Sequence, residues 1–187
     1  EAAYENSLAG ADPLAENRTL FQTLALYVNN EDISKLIGNE LAANFPRARF
    51  IEVRLLRRQD LAQHVASIAA ITASLGPELA ILLSTTKETY DARYRTGFSF
   101  SDLTANTVGV TLVSLPMKNK SSAIEMQRRL SELEAESDFM PEVGNSRDGI
   151  SESAFNSIYA DSSSSEYLEK LNEIREAIEE KPIFREF

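Results

Sequence analysis

One stretch of the chain repeats with a period of two. Tyr90, Ala92, Tyr94, Thr96, Phe98 and Phe100 alternate with Asp91, Arg93, Arg95, Gly97 and Ser99. Successive side chains on a strand point to opposite faces, so this pattern predicts a half-buried strand with an aromatic inner face. A polar turn, Ser101–Asn106, leads to Thr107–Leu115, which is rich in Val, Thr and Leu and reads as a second strand. The two make an antiparallel hairpin.

Upstream, strand and helix patterns take turns. Thr19–Val28 is apolar and aromatic and fits a strand, although Leu20, Leu24, Tyr27 and Val28 also share a helical face. Asn29–Asp32 supplies a cap and first-turn acids for a helix carrying Ile33, Leu36, Ile37, Leu41 and Phe45 as far as Pro46. Arg49–Leu56 alternates as a strand. Gln59–Leu75 is an alanine-rich helix stopped by Gly76-Pro77, and Leu79–Leu83 has the continuous apolar run of a central strand. Ser122–Glu125 matches a capping box and opens a helix with Glu125 and Arg129 four residues apart. The segment Asp138–Ser165 is loop-like with a short helix near Ser153–Ala160, and Glu166–Glu180 is the last helix.

The order is therefore β-α-β-α-β, then a hairpin, then two helices. The expected fold class is α/β (or α+β), with a mostly parallel sheet, an added antiparallel β-hairpin and two C-terminal helices. Three regions follow: a leader or tether over 1–18, an α/β domain over 19–137, and an acidic loop and C-terminal helix over 138–187 packed on the same domain.

Composition removes several chemistries. The 187 residues include no Cys, no Trp and one His, so disulfide scaffolds, thiolate zinc sites and multi-histidine metal centres are excluded. No cofactor, metal or catalytic residue is expected. The net charge is −10, which disfavours nucleic acid as a partner. Residues 121–187 hold 16 acids against 7 bases, a net −9, so the acidity belongs to the C-terminal third. No apolar run reaches the ~18–20 residues of a membrane helix. The chain starts at Glu1 without Met and continues through a polar leader, which suggests a processed or trimmed product and an extracytoplasmic (periplasmic or secreted) location.

Candidate sites are few. His64 lies beside the apolar stripe of its helix and reads as structural. Gly144–Ser151 has the glycine spacing of a phosphate loop but lacks the lysine. In a parallel sheet, ligands sit beyond the carboxyl ends of the strands. That places a polar small-ligand site at Asn29, Asn30 and Asp32 together with Thr85 and Thr86. Arg57 and Arg58 end a basic strand and offer a contact for a partner. The leading functional expectation is a non-catalytic, extracytoplasmic or membrane-tethered domain acting through protein–protein interaction. Its alternatives are an extracytoplasmic sensor of a small polar ligand, and a hydrolase using Asp32 as general base.

Overall fold

Small side chains and backbone-bonded hydroxyls decide the centre of the molecule. The computed structural model describes residues 1–94, 97–143 and 149–187, and in these the chain is all-α. Ten α-helices occur among the described residues: α1 (Ala2–Leu8), α2 (Pro13–Val28), α3 (Ser34–Ile37), α4 (Asn39–Ala42), α5 (Gln59–Leu75), α6 (Pro77–Tyr94), α7 (Phe100–Ser114), α8 (Lys120–Ser131), α9 (Glu152–Tyr159) and α10 (Ser165–Glu179). The only β pairing among them is two isolated bridges, Leu55 with Arg58 and Phe98 with Ile150.

The expected α/β sheet is thus corrected. Thr19–Val28 lies in α2, Leu79–Leu83 in α6, and Thr107–Leu115 falls almost wholly in α7. Arg49–Leu56 is irregular apart from the Leu55 bridge. Of Tyr90–Phe100, Tyr90–Tyr94 is the last turn of α6, Phe98 makes an isolated bridge and Phe100 opens α7, while residues 95 and 96 of that expected strand lie outside the described residues. The helices over 59–75, 122–133, 153–160 and 166–180 are present within a few residues, while 33–45 breaks into α3 and α4 around Gly38.

The physical reason is clearest in α7. Phe100, Leu103, Ala105, Val108, Leu112 and Val113 are all buried, so the helix is covered nearly all round and shows no amphipathic stripe. Its β-branched residues favour strands in general. Here the hydroxyls of Thr104, Thr107 and Thr111 donate to the carbonyls of Phe100, Leu103 and Thr107 at 2.7, 2.8 and 2.9 Å. Each of these hydroxyls is satisfied inside the helix, so threonine can sit within it.

Helix α7 packs most extensively on α5, and α2 lies against α5 as well. The approach of α5 to α7 depends on Gly109, where a Cβ would stand 2.6 Å from the Val65 carbonyl oxygen and 3.1 Å from the Ala69 nitrogen. Helix α5 carries small buried residues on two sides: Ala69 and Ala73 join the core cluster that includes α7, while Ala62 and Ala66 pack with Val28 of α2. Gly76, at φ +89°, ends α5, and Pro77 then starts α6, where a missing N–H costs nothing. The stop signal therefore separates two helices rather than a helix and a strand.

The first 18 residues hold α1 and part of α2. Helix α1 packs on α2 and α8, and Asn17 is fully buried against α8, where its Oδ1 accepts from Gln127 Nε2 at 2.9 Å. The acidic third also reaches the core. Phe155 and Tyr167, from α9 and α10, stack around Phe98 with ring centroids 4.8 and 6.1 Å away. Phe98 itself exchanges two backbone hydrogen bonds with Ile150, at 2.7 and 2.9 Å. So Phe98 and Phe100 are core as an aromatic face would be, although helices and not strands deliver the rings around them.

Candidate functional site

Helix α6 is built the wrong way round. Its inward residues are Ala80, Ser84 and Glu88, at four-residue spacing and all buried. Its outward side carries Leu79, Leu82, Leu83 and Tyr90, each 46–59% exposed. An ordinary surface helix turns its apolar stripe to the core. This one turns a carboxylate inward and leucines outward, so both faces call for an explanation.

The inward face meets α5 and α7 at a cluster of ionisable groups. Glu88 is 1% exposed. Its Oε1 accepts from Lys87 Nζ at 3.3 Å, while its Oε2 is buried with no partner. His64 of α5 projects to the same place. Its Nδ1–H donates to Asn106 Oδ1 at 2.9 Å, and its Nε2 lies 3.3 Å from Asp102 Oδ2. Asp102 stands in the first turn of α7, where the helix dipole favours a negative charge. Arg58 reaches its other oxygen at 3.4 Å and also holds Asp60 at 2.6 Å. One ligand atom each from His64, Glu88 and Asp102 lies within 4.8 Å of the others.

The electrostatics follow from this arrangement. Burial by itself pushes the His64 imidazole down, but the hydrogen bond and charge of Asp102, with Asn106, outweigh it and raise the pKa. Burial raises the Glu88 carboxyl, and the Asp102 charge adds to the rise against Lys87 and His64. Burial works against the Lys87 ammonium, yet Asp91 and Glu88 hold it above its usual value. Beside the cluster is an open cleft of about 410 Å³, lined by His64, Lys87, Asn106, Ile68, Ile71 and Leu83 among others.

The residues expected from sequence do not meet in one place. Asn29 links helices, its Nδ2 donating to Ser67 Oγ at 3.0 Å and to the Ala25 carbonyl at 2.8 Å. Asn30 and Asp32 line a cleft of about 260 Å³ with Tyr27, Phe45 and Arg47. Asp32 Oδ1 accepts from the Ser34 backbone N–H at 2.8 Å, and that bond holds its pKa low. A low pKa is the wrong direction for a general base at neutral pH. Thr85 lies on α6 facing another cleft, with its hydroxyl donating to the Ile81 carbonyl at 2.8 Å, and Thr86 is exposed. Arg57 is exposed in a tight turn at φ +65°, and Arg58 faces the cluster just described. Residues 144–148 of the glycine-spaced segment lie outside the described residues.

Sequence reasoning reached His64 but not its partners, because Glu88 and Asp102 fell in segments read as parts of a sheet or its turns. The usable signal was the spacing of Ala80, Ser84, Glu88 and Asp91 along one helical face. Fold and site together define an all-α domain with a buried His–carboxylate cluster. None of its described helices is long and apolar enough to cross a membrane. No family model, curated protein or solved structure matches the chain.

Proposed function

We propose that this chain is a non-catalytic helical module that works by protein–protein contact, with the outer face of α6 as its docking surface. The observation that carries the reading is the exposure of Leu79, Leu82, Leu83 and Tyr90 on one side of a single helix. Leu75, 57% exposed at the end of α5, lies just before this helix in the chain. Single exposed leucines are ordinary, whereas several on one helical face mark a surface that another molecule covers. Each leucine is already about half covered, so covering the rest would contribute about 1 kcal/mol to association. Helix-on-helix packing needs anchors at this spacing. Among the described side chains of α6, the exposed charges Glu78 and Lys87 flank the stripe.

Helices α9 and α10 turn most of their apolar side chains to the core, so the outer face of α6 is the more exposed apolar surface. The test is site-specific photo-crosslinking in the cells that make the protein. A photoreactive residue at position 82 should give a discrete adduct, and Leu79→Asp should abolish it. The same probe at Glu173, on the exposed side of α10, should give none. Adducts equally frequent at 82 and 173 would overturn the reading. An adduct of twice the chain mass would identify the partner as a second copy.

A further inference from the structure

We infer that His64, Glu88 and Asp102 form a binding site for a divalent first-row transition cation, held between α5, α6 and α7. Three observations converge on this. The three side chains come from three different helices, and their ligand atoms lie within 4.8 Å of one another. Two donors about 2 Å from one ion at a tetrahedral angle stand about 3.4 Å apart, so a small closure completes the geometry. Second, the imidazole is already oriented. Nδ1–H is bound to Asn106 Oδ1, which leaves Nε2 on the side of Asp102. A ligating histidine is usually fixed in this way, by an acceptor on its other nitrogen. Third, Glu88 is 1% exposed and one of its oxygens has no partner. A buried carboxylate with an unused lone pair is costly unless something supplies positive charge.

The donor set points to the class of ion. One imidazole with two carboxylates suits zinc and its neighbours better than calcium or magnesium, which prefer oxygen alone. Three protein ligands leave a fourth position for water, and His64, Lys87 and Asn106 put the adjoining cleft next to it. Lys87 and Arg58 are the cations that balance Glu88 and Asp102 in the metal-free protein. The ion would take the place of the proton on His64 Nε2, so uptake releases that proton. The ligands lie on the inward side of α6; Leu83 borders both the adjoining cleft and the outer face, but Zn²⁺ uptake and crosslinking at position 82 are separate readouts, so either reading can fail without the other.

The test is titration of the purified full chain with Zn²⁺ by calorimetry, with Co²⁺ as the spectroscopic probe. One equivalent of Zn²⁺ should bind saturably, and Co²⁺ should develop visible absorption bands at the same stoichiometry. Affinity should fall about tenfold per pH unit once His64 is protonated. His64→Gln, Asp102→Asn and Glu88→Gln should each weaken Zn²⁺ at least tenfold, while the exposed Glu173→Gln leaves it unchanged. Glu88→Gln is nearly isosteric and carries the test if another variant fails to fold, with helical circular dichroism as the check. Absence of saturable uptake at one equivalent would overturn the inference. So would a Glu88→Gln affinity within twofold of the wild type.

Discussion

At the scale of single residues, Glu88 sets the tension in this molecule. It is buried, it has one oxygen paired with Lys87 and one with no partner, and a second carboxylate, Asp102, is close enough to raise its pKa further. Replacing it by glutamine keeps a carbonyl acceptor for Lys87 and removes the buried negative charge that burial and Asp102 disfavour. The metal-free Glu88→Gln protein should therefore be more stable than the wild type, by about 1 kcal/mol. Urea denaturation in the presence of a chelator measures this. A purely structural Glu88, retained for the Lys87 contact, would show the opposite sign. Taken with the Zn²⁺ titration, the variant separates two roles: a residue that costs stability and binds an ion is there for the ion.

At the scale of elements, α5 and α7 show what the sequence could and could not reveal. Helix α5 was legible because alanine and leucine recur on one stripe and Gly76 stands just past its end. Helix α7 was not, because burial on most sides blurs the period that marks a helix, and its threonines, strand formers in general, are accommodated by bonding to their own backbone. Helix α6 misled for a third reason, since its leucines face out and its glutamate faces in. The short alternation over Tyr90–Phe100 begins in α6 and ends at the start of α7, so it sampled parts of two helices rather than one strand. With α6 unseen, the four-residue step from Ser84 to Glu88 could not be placed opposite His64, and the cluster stayed hidden. Gly109 tests the packing of the central pair directly. Alanine would ordinarily gain about 1 kcal/mol over glycine inside a helix. Here its Cβ would meet the Val65 carbonyl at 2.6 Å, and backbone cannot yield as a side chain can. Gly109→Ala should cost about 1–3 kcal/mol instead, read as a lower urea midpoint with unchanged slope. A neutral or stabilising result would mean that α5 and α7 stand further apart than described.

At the scale of the whole molecule, the buried cluster should make global stability depend on pH in an unusual direction. His64 is faced by Asp102 from α7, by Glu88 and Lys87 from α6, and by Arg58 and Asp60 near the start of its own helix. Its pKa is raised above the ordinary 6.5, so the folded state binds this proton more tightly than the unfolded chain does. The stability this supplies is full below 6.5 and is lost as pH rises through the folded value. Glu88 acts with the same sign from a lower starting point, because its pKa is raised above the ordinary 4.5. Its contribution is full below 4.5 and disappears as pH climbs. Asp60 runs the other way, held low chiefly by its hydrogen bond to Arg58, and its contribution appears above 3.8 and is lost as pH falls. That change is complete well before neutrality. Between pH 6.5 and 8.5 His64, and Glu88 with the same sign, are the cluster groups held above their ordinary values, so the unfolded state binds fewer protons than the native one. Stability of the metal-free protein should fall across this window, with a slope no steeper than about 1.4 kcal/mol per pH unit for one proton. Thermal unfolding at half-unit steps in a chelating buffer measures it. His64→Gln should flatten the slope, whereas Glu88→Gln should keep most of it while shifting the whole curve upward. Zn²⁺ should reverse the trend, because the ion requires the neutral imidazole and binds better as pH rises. A stability curve that is flat from pH 6.5 to 8.5, in the presence and absence of Zn²⁺ alike, would mean that His64 is neither paired with Asp102 nor poised to bind a metal.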